Sequence, residues 1–188
     1  MEQITPDMVL YAYSIGVFPM ANPDENNEIF WVEPEFRGII PLDEFKVSKS
    51  LKQTLRSGKY YVTINQSFES VMRGCANRTE TWISEEIIDV YKQLHEMGYA
   101  FSVETWNTNH ELVGGLYGVA IGKAFFGESM FSTQTDASKV ALYVLVNWMR
   151  ENHLQLLDTQ YITDHLKSLG AIEITKEEYK KLLAEALA

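Results

Sequence analysis

The chain has 188 residues, 46% of them hydrophobic, and a formal net charge of -10. That length buries one core, as one compact unit or a main domain with a small appendage, and the acidity argues against a general nucleic-acid coat. One cysteine, Cys75, excludes an internal disulfide and a cysteine-rich zinc site; no apolar run approaches membrane-spanning length; and Met1-Glu2-Gln3-Ile4-Thr5-Pro6 lacks the basic segment and apolar core of a secretory signal, so a cytoplasmic protein is the simplest expectation.

Thr5-Pro6-Asp7 reads as an N-cap with proline in the first turn, predicting a short helix to about Ser14. Gly16-Val17-Phe18-Pro19 breaks it, and residues 20–36 read as loop, least ordered over Asn22 to Asn27. Phe18, Phe30, Trp31 and Phe36 flank this stretch, as a small aromatic core or as one wall of a ligand cleft. From Phe45 to Phe68 there are five cations, Lys46, Lys49, Lys52, Arg56 and Lys59, and no acid. Their spacing of 3, 3, 4 and 3 makes a helical stripe. Ser48 caps that helix, it ends near Gly58, and Lys46 and Lys59 lie at or beyond its ends. Such a stripe is usually a solvated face. Without interleaved glutamates on an acidic body, it could instead place an RNA locally while the rest repels it.

Tyr60 to Asn65 alternates like a strand, and Ser67 to Cys75 reads as a helix. Ser84 opens another helix, with Ile87, Ile88, Tyr91 and Leu94 on one side and Gly98 closing it. Tyr99 to Trp106 and Glu111 to Ala120 form a predicted hairpin, followed by a strand over Lys123 to Met130. A long helix runs from Asp136 or Ser138 to about Asn152, then a strand over Leu154 to Gln160, a short helix over Thr163 to Leu169 and a strand over Ala171 to Ile174. Thr175 caps a last helix, with Glu178 in the capping-box position. The order predicts a mixed α+β domain, a central sheet with helices on its faces.

Two places carry chemistry. Glu128 lies within the apolar and aromatic run Phe125 to Phe131, where burial is costly without a partner. It either recognises a cation or forms a structural ion pair, for instance with Lys139. Asp158 and Gln160 stand two apart on a predicted strand, hence on one face. One could hold an amine and the other steer it, which suits acyl transfer to an amine. Asp158 as a simple strand-end or turn cap is the alternative. The four histidines show no ligand spacing, so no metal is expected. Gly114-Gly115-Leu116-Tyr117-Gly118 reads as a hairpin strand and not as a phosphate loop.

Several segments together resemble the leucyl/phenylalanyl-tRNA–protein transferase family. They include Gly16-Val17-Phe18-Pro19, Cys75-Ala76, Thr81-Trp82-Ile83, His95 to Glu104, and Leu112-Val113-Gly114-Gly115-Leu116-Tyr117-Gly118-Val119. Phe126-Gly127-Glu128-Ser129-Met130-Phe131-Ser132, Ala137-Ser138-Lys139, Asp158-Thr159-Gln160 and His165 to Ala171 complete the set, in order over nearly the whole chain. The resemblance implies a bacterial cytoplasmic enzyme of the N-degron pathway. It would move leucine or phenylalanine from charged tRNA to proteins beginning with arginine or lysine, marking them for degradation, with no cofactor. It also implies a small N-terminal domain, residues 1–36, and an N-acetyltransferase-like (GNAT-type) catalytic domain, residues 37–188. Compared with many relatives, the chain is expected to lack part of a longer N-terminal segment and an extended tail. It carries Met20 where relatives have a tryptophan lining the cleft.

On this resemblance, Asp158 organises the acceptor amine directly or through Gln160, whose amide either accepts from the amine or donates to the developing oxyanion. Glu128 recognises the α-ammonium or the acceptor side chain. Leu116, Phe125, Met130, Leu142 and Leu145 are candidates for the aminoacyl pocket, and Trp82 and Met20 for the tRNA 3'-end. Two rivals keep a related chemistry: the same transfer with other specificity, and a coenzyme A-dependent N-acyltransferase. The latter needs a glycine-bearing phosphate loop, which Ser132-Thr133-Gln134-Thr135-Asp136-Ala137 does not supply. A third is a non-catalytic RNA-binding module.

Overall fold

The computed structural model describes residues 3–188, so the first two residues of the expected 1–36 segment lie outside it. The elements in chain order are α1 (Pro6–Ser14), β1 (Phe18–Asn22), β2 (Glu28–Val32), β3 (Phe36–Ile39), α2 (Lys49–Arg56), β4 (Tyr60–Ile64), α3 (Phe68–Ala76), α4 (Glu85–Glu96) and β5 (Ala100–Asn107). There follow β6 (Leu112–Ile121), β7 (Ala124–Ser132), α5 (Ala137–Glu151), β8 (Leu156–Gln160), α6 (Asp164–Ser168), β9 (Ile172–Thr175) and α7 (Lys176–Leu187). The caps act as their residue types require. Thr5 and Ser48 accept from Met8 and Leu51, and Thr175 and Glu178 close a capping box at α7.

Residues 20–36 are not loop. β1 and β2 form an antiparallel hairpin with Met20 opposite Phe30. Its turn uses the left-handed backbone of Asn26 (φ 55°) and Asn27 (φ 59°), a conformation asparagine tolerates well. The proline at position 19 belongs to a strand paired on one side only, where a missing N–H costs little.

The main sheet has seven strands in the order β4-β5-β6-β7-β8-β3-β9. Only β7 and β8 run parallel; the other neighbours are antiparallel. Alternate residues feed two cores, as the pleat dictates. Tyr117, Phe126 and Leu156 join one cluster, with residues of α1, α3, α4 and α7. Leu116, Phe125 and Leu157 join the other, packed against α5. The result is a three-layer α+β arrangement.

Strands β7 and β8 stay paired over only three positions, ending at Phe126 opposite Asp158. Past that point β7 follows β6 while β8 follows β3, and the two splay apart. Tight backbone approaches hold this geometry. A Cβ on Gly118 would lie 2.4 Å from the Phe126 carbonyl oxygen, and one on Gly127 3.0 Å from that of Asp158. Gly118→Ala is therefore expected to destabilise by about 1 to 3 kcal/mol through overpacking, read as a lower thermal midpoint. An unchanged midpoint would contradict the close approach.

Candidate active site

The splay opens a cleft of about 300 Å³, walled by Gly127 to Met130 on one side and Leu157 to Tyr161 on the other. Its size is at the lower end of small-ligand sites. Glu128 enters it because of a β-bulge. Tyr117 pairs with Ser129 and Gly118 with Gly127, so Glu128 is left opposite no residue of β6. A bulge re-aims one side chain and bends the strand.

Glu128 is 8% exposed. Its Oε1 accepts from the Tyr13 hydroxyl, which is itself 2.5 Å from the Tyr91 hydroxyl. Its Oε2 accepts from Gln160 Nε2 at 3.0 Å. No cation pairs with it among the described residues, and Lys139 sits 3.7 Å from Asp136 instead. The structural ion pair considered from the sequence is thus not formed. Burial holds the Glu128 carboxyl well above its usual range, opposed by the Gln160 hydrogen bond and reinforced by the charge of Asp158.

Asp158 is wholly buried. Arg37 grips it bidentately, Nε to Oδ1 at 3.0 Å and Nη2 to Oδ2 at 2.6 Å. The Gln160 backbone N–H donates to Oδ1 at 2.7 Å, and the Tyr179 hydroxyl to Oδ2 at 2.9 Å. All four acceptor positions of the carboxylate are filled. Arg37 is 1% exposed, donates to the Gly16 carbonyl at 2.7 Å and is flanked by the rings of Phe18 and Tyr179. Sequence reasoning missed Arg37 and Tyr179. The signal available was a buried-charge requirement at Asp158 with no cation nearby in sequence.

Gln160 has φ 63°, a left-handed conformation that is uncommon for a non-glycine residue and recurs at functional sites. The strand alternation expected from the sequence therefore ends there. The Asp158 side chain turns to Arg37, and that of Gln160 to Glu128. With Nε2 engaged by Glu128, the amide oxygen is left as the free acceptor.

Of the apolar candidates, Leu116, Met130, Leu142 and Leu145 line the cleft together with Leu157. Phe125 does not; it is fully buried in the core on the α5 side. Trp82 borders the cleft. Met20 does not border it but packs on the other core, one residue from Ala21, whose N–H donates to the Trp82 carbonyl at 3.2 Å. Lys46, Lys49, Lys52, Arg56 and Lys59 are all exposed, away from the cleft. Burial pushes the Cys75 thiol up to about 12, against a hydrogen bond from Ser129 and the charge of Arg78, so it offers no thiolate nucleophile. No cluster of three or more potential metal ligands occurs among the described residues.

Two outcomes follow from these partners. Arg37→Met strands a buried carboxylate and is expected to cost about 3 to 5 kcal/mol, measured by denaturant unfolding; a loss under about 1 kcal/mol would show the pair to be dispensable. Glu128 has a folded-state pKa above its unfolded one, so the folded state keeps a proton that the unfolded chain releases. Its contribution to stability therefore falls as pH rises from the ordinary carboxylate range toward the raised value. Glu128→Gln removes this penalty, so the variant's thermal midpoint should gain on the wild type as pH rises above the ordinary glutamate range of about 4. Parallel midpoints above that range would contradict a raised Glu128.

The comparisons with known proteins agree along the chain. The profile of the Leucyl/phenylalanyl-tRNA protein transferase family matches residues 39–184, and that of its N-terminal domain residues 2–35. A leucyl/phenylalanyl-tRNA–protein transferase of Paramagnetospirillum magneticum is 53% identical over 192 aligned positions, covering 100% of this chain and 91% of the relative. One from Ruegeria sp. is 51% identical, covering 98% and 87%. The crystal structure of FemX superposes with a TM-score of 0.54 at 11% identity, over 94% of this chain and 70% of that one, which is a likeness of fold. The chain belongs to the leucyl/phenylalanyl-tRNA–protein transferase family.

Proposed function

We propose that this chain moves leucine or phenylalanine from aminoacyl-tRNA to the N-terminal amine of proteins that begin with arginine or lysine. The observation that carries the reading is the splay between β7 and β8, which joins an apolar pocket to a buried Glu128–Gln160 pair. Family membership supports the aminoacyl-tRNA donor and the protein acceptor. The action belongs to the N-degron pathway of protein breakdown in the cytoplasm. No described helix is long and apolar enough to cross a membrane.

The donor ester is already activated, so alignment is the main task. Leu116, Leu142, Leu145 and Met130 form an apolar socket for the leucine or phenylalanine side chain, and the adaptable methionine suits both. Trp82 offers a face for the terminal adenine. The Gln160 amide oxygen accepts from the acceptor amine. Glu128, buried without a cation, takes up an ammonium group, either the α-ammonium or the basic side chain of the acceptor. The amine nitrogen attacks the ester carbonyl, the bond to the ribose oxygen breaks, and the proton lost by the amine passes to that departing oxygen. Asp158 acts through Gln160, by holding its backbone in the left-handed conformation, and is a positioning residue on this account.

We take residues 1–36 as a small N-terminal domain and 37–188 as a GNAT-type catalytic domain. In support, β3 begins at Phe36 as part of the main sheet, while β1 and β2 form a separate sheet. The cationic face of α2 guides the body of the tRNA. Among the described residues none of Lys49, Lys52 and Arg56 is in an ion pair, which leaves the three free for phosphates.

The direct test offers labelled leucine, phenylalanine and arginine on their tRNAs to peptides beginning with Arg, Lys, Asp or Ala. Leucine and phenylalanine should appear on the Arg and Lys peptides; arginine on Asp peptides, or no transfer, would overturn the reading. Gln160→Ala should lower transfer by about 100-fold with little change in tRNA affinity; equal loss of both would assign it a structural role. Reversing charge at Lys49, Lys52 and Arg56 should flatten the salt dependence of tRNA binding by about 2 log units per log unit of salt. An unchanged slope would leave the stripe a solvated face.

A further inference from the structure

The cleft continues beyond the aminoacyl socket. Two further hollows, of about 510 and 470 Å³, run on from it over the surface. His165 borders all three, and Arg78 borders the cleft and the first hollow. Lys139 borders the last. Between these cations stand the hydroxyl residues Ser132, Thr133 and Ser138, each bordering both hollows. Ser138 is only 7% exposed. Its backbone N–H donates to Ser132 Oγ at 3.2 Å, while its own hydroxyl has no partner among the described residues and opens onto the hollows. The single acid bordering the two hollows, Asp136, is already engaged by the Thr54 hydroxyl at 2.8 Å and by Lys139.

This bond from Thr54 also ties the run to α2, whose cations face solvent. No residue of α2 lines the hollows; they form a path from Asp136, to which Thr54 is tied, to the mouth of the cleft. Its donors are the remaining N–H groups of the Arg78 guanidinium, which gives one Nη2 hydrogen to the Met130 carbonyl, together with an ammonium, an imidazole and the Ser138 hydroxyl; the Ser132 and Thr133 hydroxyls already donate to the Gln134 and Val113 carbonyls. That set suits a singly charged phosphodiester better than an apolar or a cationic ligand. Burial and the charge of Lys139 lower the His165 pKa, which favours the neutral ring at neutral pH; it serves as one more N–H donor.

We propose that this path binds the phosphodiester backbone of the donor's single-stranded 3' end and leads its terminal ester into the cleft. The proposal rests on the donor being an aminoacyl-tRNA, and adds a phosphate site separate from the stripe on α2.

The test uses leucyl esters of three short donors: adenosine, with no internucleotide phosphate; cytidylyl-adenosine, with one; and the trinucleotide CCA, with two. None has the tRNA body that the α2 stripe would hold. In the wild type, kcat/KM should rise with each phosphate, by about tenfold in total. Lys139→Gln should abolish most of the rise, Lys139→Arg should keep it, and the loss should be confined to the phosphate-bearing donors. A full rise in Lys139→Gln would overturn the proposal. So would an equal loss with all three donors, which marks a structural effect, or a loss that tracks acidic residues in the acceptor peptide, which marks an acceptor groove. Failure of the wild type with full-length leucyl-tRNA would instead remove the underlying reading, and this proposal with it.

Discussion

A carboxylate with no exposure and four hydrogen bonds lies at the centre of this structure. Asp158 is held by Arg37 from β3, Tyr179 from α7 and the Gln160 backbone, and Arg37 in turn reaches the Gly16 carbonyl just past α1. One ion pair therefore joins both ends of the chain to the strand that carries the site. A buried pair of this kind gives little net stability over an apolar replacement, but losing one partner is costly. Its value lies in geometry. Asp158 Oδ1 accepts from the Gln160 N–H at a left-handed backbone, and the Gln160 amide meets Glu128.

The second constraint is where the sheet comes apart. Three paired positions hold β7 to β8, and the glycine at 127 lets the strands touch before they diverge. The bulge in β7 then turns Glu128 into the gap. An apolar socket, a desolvated carboxyl and a free amide oxygen share one small volume. That combination fits a reaction whose donor is already activated and whose catalyst mainly aligns an amine. The buried thiol of Cys75 supplies no competing covalent route.

Much of this was legible in the chain. Helix caps at Thr5, Ser48, Ser84 and Thr175 mark starts that the structure keeps, because a side chain that satisfies a terminal N–H acts locally. The hairpin of β5 and β6 follows from alternation and its turn. Strands β1 to β3 were not legible: they are short, β1 carries a proline and an asparagine and the turn after it again holds both, and β3 pairs only with β8 and β9, far along the chain. The same distance hid Arg37, which is 121 residues from Asp158. Phe125 and Met20 show the limit of residue type as a guide. Phe125 faces a core because its neighbours in the pleat do, and Met20 packs inward although Trp82 nearby borders the cleft.

The most direct measurement is a crystal structure with an unreactive amide analogue of leucyl-adenosine and an acceptor peptide beginning with arginine. The account predicts the leucine side chain between Leu116, Leu142 and Leu145, and the peptide amine within hydrogen-bonding distance of the Gln160 amide oxygen. Finding the leucyl group outside the splay between β7 and β8, or the amine away from Gln160, would contradict it.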